Sequence, residues 1–149
     1  MDLLATDPLA ETQVSQGITT LVLGPDGDSS WPIGAFLEER ERAPAAVNVM
    51  TMVGHETVRS LVLGKDFRRK ATPAEIAQMS AFVAQGMREG AAGLSSGLEY
   101  DVGSYASTDE LVELNAQHEA VTERRNRDQP FPECERLGVR VIHAEDAYA

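Results

Sequence analysis

With 149 residues, 42% of them hydrophobic and 25% charged, the chain is long enough to bury one globular core, which excludes disorder as the default reading. Its net charge of -11, from 24 acidic against 13 basic residues, is repelled by nucleic acid and by anionic membrane, so neither is an expected partner. The single cysteine, Cys134, excludes an intramolecular disulfide and a thiolate zinc site and fits a reducing, cytoplasmic setting; no run approaches the roughly 18 apolar residues that cross a bilayer.

Asp7-Pro8 is an N-cap with proline at the first helical position, and Gly17 is a stop, so residues 8–16 are expected to form a short helix. Ile18 to Leu23 then forms a β-branched and aliphatic run ended by the turn Gly24-Pro25-Asp26-Gly27. A helix fits Ile33 to Arg42, and a second strand fits Val47 to Val53, closed by Gly54-His55. Thr72-Pro73-Ala74-Glu75 is a capping box, and Ile76, Met79, Val83 and Met87 follow it at helical spacing up to Gly90. Ala91 to Leu94 is a short strand running into the small residues Ser95, Ser96 and Gly97. Ser107-Thr108-Asp109-Glu110 is a second capping box, opening a helix expected to end near residue 120. Glu123 to Pro132 is polar and then broken by proline, which reads as a loop or insert; Gly138 to Ile142 forms a fourth strand ending at His143.

Strands alternating with helices make a parallel α/β fold, so the candidates are an open doubly wound sheet or a (β/α) barrel. The Gly24-Pro25-Asp26-Gly27 turn matches neither the GxGxxG nor the P-loop spacing, which lowers the nucleotide-binding reading. About four βα units are half of an eight-stranded barrel of about 250 residues, so the expectation is a partial (β/α)8 TIM-type barrel.

In either architecture the site forms where the strands end. The residues there are Asp26, His55, Ser95 with Ser96, and His143. Each has a plain structural alternative: Asp26 as a turn former, His55 as the first residue of a helix, the serine pair as small packing residues. His118, in mid-helix, reads as a solvated face residue. His143, beside Glu145 and Asp146, has the chemistry of a metal ligand, but one histidine does not define a site. No HxH, HExxH or CxxC is present, so the residues alone stop at a site-bearing βα segment.

Three segments taken together carry a resemblance: Gln16 to Gly24, Ala46 to Arg59 with its Gly54-His55 pair, and Gly93-Leu94-Ser95-Ser96-Gly97-Leu98-Glu99-Tyr100 leading to Ala106-Ser107-Thr108-Asp109-Glu110-Leu111. In order and spacing they resemble the N-acyl-D-amino-acid deacylase (D-aminoacylase) family of the metal-dependent amidohydrolases. The resemblance implies hydrolysis of the linear amide of a small-molecule N-acyl-D-amino acid, with zinc activating water. It implies substrate-binding roles for His55, Ser95, Ser96 and Tyr100, and metal ligation by Asp26 and, after an insertion, by His143. The family's first-strand HxH pair falls ahead of Met1, Asp128 stands where a further metal histidine is expected, and the catalytic aspartate is missing. The chain is therefore expected to be an interior segment, impaired on its own, with residues 1–120 as partial barrel, 121–137 as polar loop or insert, and 138–149 as a further strand or an unrelated tail. Open barrel edges would favour self-association. Two readings compete with this one: a non-catalytic binding or interaction module derived from a barrel, and an open flavodoxin-like sheet binding a small anion.

Overall fold

The computed structural model describes residues 3–128. Two short helices come first, α1 (Leu3–Thr6) and α2 (Glu11–Val14), followed by β1 (Thr20–Leu23), α3 (Ile33–Arg42), β2 (Asn48–Thr51) and β3 (Val53–Gly54). Then come α4 (His55–Leu63), a 3-10 turn (Gly64–Asp66), α5 (Pro73–Arg88), β4 (Leu94–Ser95), a second 3-10 turn (Gly103–Tyr105) and α6 (Thr108–Asp128). The expected strand at 138–142 lies outside the described residues, as do His143 and Cys134.

All strand pairing is parallel among the described residues. β1 pairs with β2 in the register Thr20 to Asn48 through Leu23 to Thr51, and β3 pairs with β4 as Val53 to Leu94 and Gly54 to Ser95. Met52 joins β2 and β3: its N–H donates to Leu23 O at 2.9 Å, while the carbonyl of Thr51 accepts from Ala92 N at 2.7 Å. That N–H and that carbonyl belong to one peptide unit and point to opposite edges. Residues 48–54 are thus one bent strand with β1 on one side and β4 on the other, so the strands lie side by side in chain order. No closed barrel forms among the described residues.

The main core lies between this central strand and the helices, built from Ile33, Val53, Val58, Met79, Val83 and Leu114, each fully buried. Each such side chain contributes about 1.5–3 kcal/mol through lost apolar hydration. A smaller cluster of Leu4, Ala10 and Val47 covers one face of β1 and β2. The opposite face of that pair leaves Val22 and Met50, partners in register, 49% and 46% exposed.

The capping box of α5 forms as its sequence implies. Thr72 Oγ1 accepts from Glu75 N at 3.3 Å and Glu75 accepts from Thr72 N at 2.7 Å. Arg69, with help from the Thr72 backbone, holds the Glu75 carboxyl well below the usual carboxylate range.

Three expectations need correction. The helix placed at residues 8–16 is a turn at Asp7–Ala10 followed by the single-turn α2, because Ala10 takes a left-handed conformation (φ 45°) as it packs into the small cluster. α6 does not stop near residue 120 but runs to Asp128; the polar segment Glu123 to Asp128 lacks glycine and proline, and its glutamate and arginines are good helix formers. His118 is not a solvated face residue: it is half-buried, its Nδ1 is sequestered, and its Nε2 lies 3.8 Å from where a Cβ on Gly93 would sit.

Candidate active site

The turn after β1, the N-terminus of α4 directly after β3 and the loop after β4 meet at the carboxyl ends of the strands, held by backbone and serine hydrogen bonds. Ser95 Oγ donates to Gly24 O at 2.6 Å and accepts from Gly27 N at 3.2 Å, tying β4 to the turn after β1. Gly27 O in turn accepts from Glu56 N at 2.8 Å and Thr57 N at 3.2 Å, capping α4 in place of a side chain. Ser29 Oγ accepts from Gly54 N at 2.9 Å, and Ser29 N donates to Thr57 Oγ1 at 2.9 Å.

Backbones approach so closely here that side chains have no room. A Cβ on Gly54 would lie 2.3 Å from Gly27 O, and one on Gly97 would lie 2.0 Å from Asp26 O and 2.5 Å from Tyr100 Cδ2. Asp26 sits on the rim of this junction with an exposed carboxylate and φ 57°, a conformation that aspartate tolerates better than most residues. Ser96 is exposed beside it, and the Tyr100 ring, 52% exposed, lies against Gly97. The structure therefore gathers Asp26, Ser95, Ser96 and Tyr100 in one place. Further out, Arg68 donates to Asp101 at 2.9 Å, linking the segment after α4 to the Tyr100 loop.

His55 is different: it opens α4 directly after β3 and is fully buried. Its Nε2 lies 2.8 Å from Glu110 Oε1, at the start of α6, while its Nδ1 is buried with no hydrogen-bond partner among the described residues. Arg59, one helical turn along α4, donates to Glu110 Oε2 and to the carbonyls of Phe67 (3.0 Å) and Arg69. Burial pushes the Glu110 carboxyl up, but the hydrogen bonds from His55 and Arg59, reinforced by the charge of Arg59, outweigh it and leave the group below its ordinary value. His55, Arg59 and Glu110 thus form one fully buried polar cluster.

Neither Arg59 nor Glu110 is among the site residues expected from the sequence. The four-residue spacing of His55 and Arg59 on one helix face was the available signal. Glu110 was masked because its position completes a capping box. Only half of that box forms: Glu110 N donates to Ser107 Oγ at 3.2 Å while the carboxylate turns inward.

Among the described residues, no three His, Cys, Asp or Glu side chains converge on a point that could hold a metal ion. Asp26 is a single exposed carboxylate and the Nε2 of His55 is engaged by Glu110, so the described donors do not fit a complete zinc centre.

No protein-family model matches the chain. It is 35% identical to the D-aminoacylase of Alcaligenes xylosoxydans xylosoxydans over 68% of its own length and 26% of the relative's. It is also 35% identical to that organism's N-acyl-D-aspartate deacylase, over 74% and 27% of the two chains. The chain thus spans about a quarter of the length of these relatives. Among solved structures, it superposes on D-aminoacylase, described as defining a subset of the amidohydrolases, with a TM-score of 0.72 at 31% identity, covering 80% of this chain and 30% of that one. The N-acyl-D-glutamate deacylase of Bordetella bronchiseptica, solved with zinc and a phosphonate that mimics the tetrahedral intermediate, matches with a TM-score of 0.74 at 28% identity, over 83% and 30% of the two chains. The class these relatives define is the amidohydrolases. Within it, this chain belongs to the N-acyl-D-amino-acid deacylase family, in which zinc is the expected metal.

Proposed function

We propose that this chain forms an arc of the (β/α) barrel of a hydrolase that cleaves the linear amide of N-acyl-D-amino acids. The arc takes in residues 1–120 and the rest of α6. Three observations support it: parallel strands in chain order, the likeness to amidohydrolases, and an apolar sheet face at Val22 and Met50 that further barrel elements, or a second copy, would cover.

The observation that carries the functional reading is the convergence of the segments that follow β1, β3 and β4, in a chain 35% identical to D-aminoacylase. In this reading Ser96 and Tyr100 bind the substrate from the β4 loop, and Ser95 holds that loop against the turn carrying Asp26. His55 acts from beneath, on the inner side of the same junction. Asp26 and His143 are assigned as metal ligands that need further donors beyond the described residues, so the chain by itself is impaired.

Grafting tests this directly. Residues 3–128 would replace the matching region of the Alcaligenes D-aminoacylase, and hydrolysis of N-acetyl-D- and N-acetyl-L-amino acids would be followed. The expected result is D-selective turnover, with Tyr100→Phe raising KM. A folded, zinc-loaded chimera that is inactive, or that cleaves both enantiomers equally, contradicts the proposal.

A further inference from the structure

We infer that Glu110 and Arg59 are positioning residues that hold the imidazole of His55 in one tautomer, hydrogen on Nε2, with Nδ1 left as the hydrogen-bond acceptor at the end of β3. This deepens the proposed reading, since it rests on His55 working on the substrate side. The geometry stands without that reading.

An ionised carboxylate only accepts hydrogen bonds, so the 2.8 Å contact from His55 Nε2 to Glu110 Oε1 requires a hydrogen on that nitrogen. In an uncharged ring the other nitrogen then carries a lone pair. Arg59 donates to the second oxygen of Glu110, and the hydrogen bonds from His55 and Arg59 hold the carboxyl below its ordinary value despite burial. The cluster balances with an uncharged ring: one carboxylate against one guanidinium. A second buried cation would leave an unpaired charge inside the core, which is costly.

Arg59 is itself held by the Phe67 and Arg69 carbonyls, and Glu110 by the first turn of α6, where Ser107 takes its N–H. The ring is therefore oriented by two helices that follow two different strands. Nδ1 and, within the same cluster, Arg59 Nε have no partner among the described residues, whereas the Phe67 and Arg69 carbonyls and Ser107 Oγ are engaged; of the two bare atoms only Nδ1 can accept. An acceptor kept bare in a buried site suits a neutral N–H or O–H donor and not a carboxylate. The fixing of an imidazole by a carboxylate on its far nitrogen is the arrangement by which proteins commonly define which nitrogen is available.

The chain has three histidines, so the imidazole nitrogens can be read singly by 15N NMR, with His118→Gln and His143→Gln assigning the signals. The expected spectrum shows His55 with a protonated, exchange-protected Nε2 and an unprotonated Nδ1. In Arg59→Met/Glu110→Met, which replaces the ion pair with side chains of similar volume, that protected hydrogen should be lost and the population should move toward Nδ1–H. A wild-type ring with hydrogen on Nδ1, or a double variant that keeps the wild-type pattern, overturns the inference. If circular dichroism shows the double variant unfolded, the wild-type tautomer decides alone. No substrate enters this measurement, so an inactive graft would sink the functional reading and leave the tautomer intact, and the reverse outcome would separate them equally well.

Discussion

Replacing Gly54 with alanine inserts one methyl group into the junction where the post-strand loops meet. The added Cβ would lie 2.3 Å from Gly27 O, 2.7 Å from Gly27 C and 2.9 Å from Asp28 C, where ordinary contact begins at 3.4 Å. The obstacle is backbone, clamped by Ser95 on one side and by the N-terminus of α4 on the other, so it cannot swing aside as a flexible side chain would. Overpacking costs typically about 1–3 kcal/mol, and a rigid obstacle puts this substitution near ~3 kcal/mol. That lowers the folded-to-unfolded ratio more than about a hundredfold, out of a total stability of about 5–15 kcal/mol, and lowers Tm by roughly 10 °C. Gly93→Ala is the control: its nearest neighbour would be His118 Nε2 at 3.8 Å, an ordinary contact, and it should stay within about 0.5 kcal/mol of wild type. Urea titration of both variants, followed by the fluorescence of the single tryptophan, Trp31, measures the difference. Equal midpoints for Gly54→Ala and Gly93→Ala would refute the argument that backbone contact defines the junction.

Arg59→Met alone strands the buried Glu110 carboxylate and should cost about 3–5 kcal/mol, whereas Arg59→Met/Glu110→Met should lie much closer to wild type in the same titration. Because the folded Glu110 carboxyl sits below its ordinary value near 4.5, its contribution is present above that pH and lost as pH falls toward the lower folded value; stability measured from pH 6 downward should drop in wild type and drop less steeply in the double variant. Thr72→Ala removes the hydroxyl that accepts from Glu75 N and should lower stability by about 0.5–2 kcal/mol in thermal melts, with Thr72→Ser restoring most of it.

What the sequence made legible was local. α3 falls at Ile33–Arg42 as expected, and α5 begins where its capping box places it, because cap chemistry and apolar spacing are encoded within a few residues. Three parallel strands follow from the alternation of strands and helices, and the meeting of Asp26, Ser95 and Ser96 from the rule that sites form at strand ends, while Tyr100 was expected there only through the family resemblance. Features set by tertiary contact were not legible. The left-handed Ala10 depends on packing against Leu4 and Val47, and the bend at Met52 depends on two different neighbouring strands. The burial of His55 depends on Glu110, a residue 55 positions away whose local motif already offered it another role. A motif explained at one level can conceal a function at another.

Calorimetric titration of the chain with zinc, combined with an acyl-D-amino-acid turnover assay, tests the central claim most directly: the chain contributes the substrate-side loops of a deacylase site and only part of its metal ligands. The predicted result is no stoichiometric high-affinity zinc and strongly reduced turnover. One tightly bound zinc per chain together with turnover at the level of a whole deacylase would contradict it.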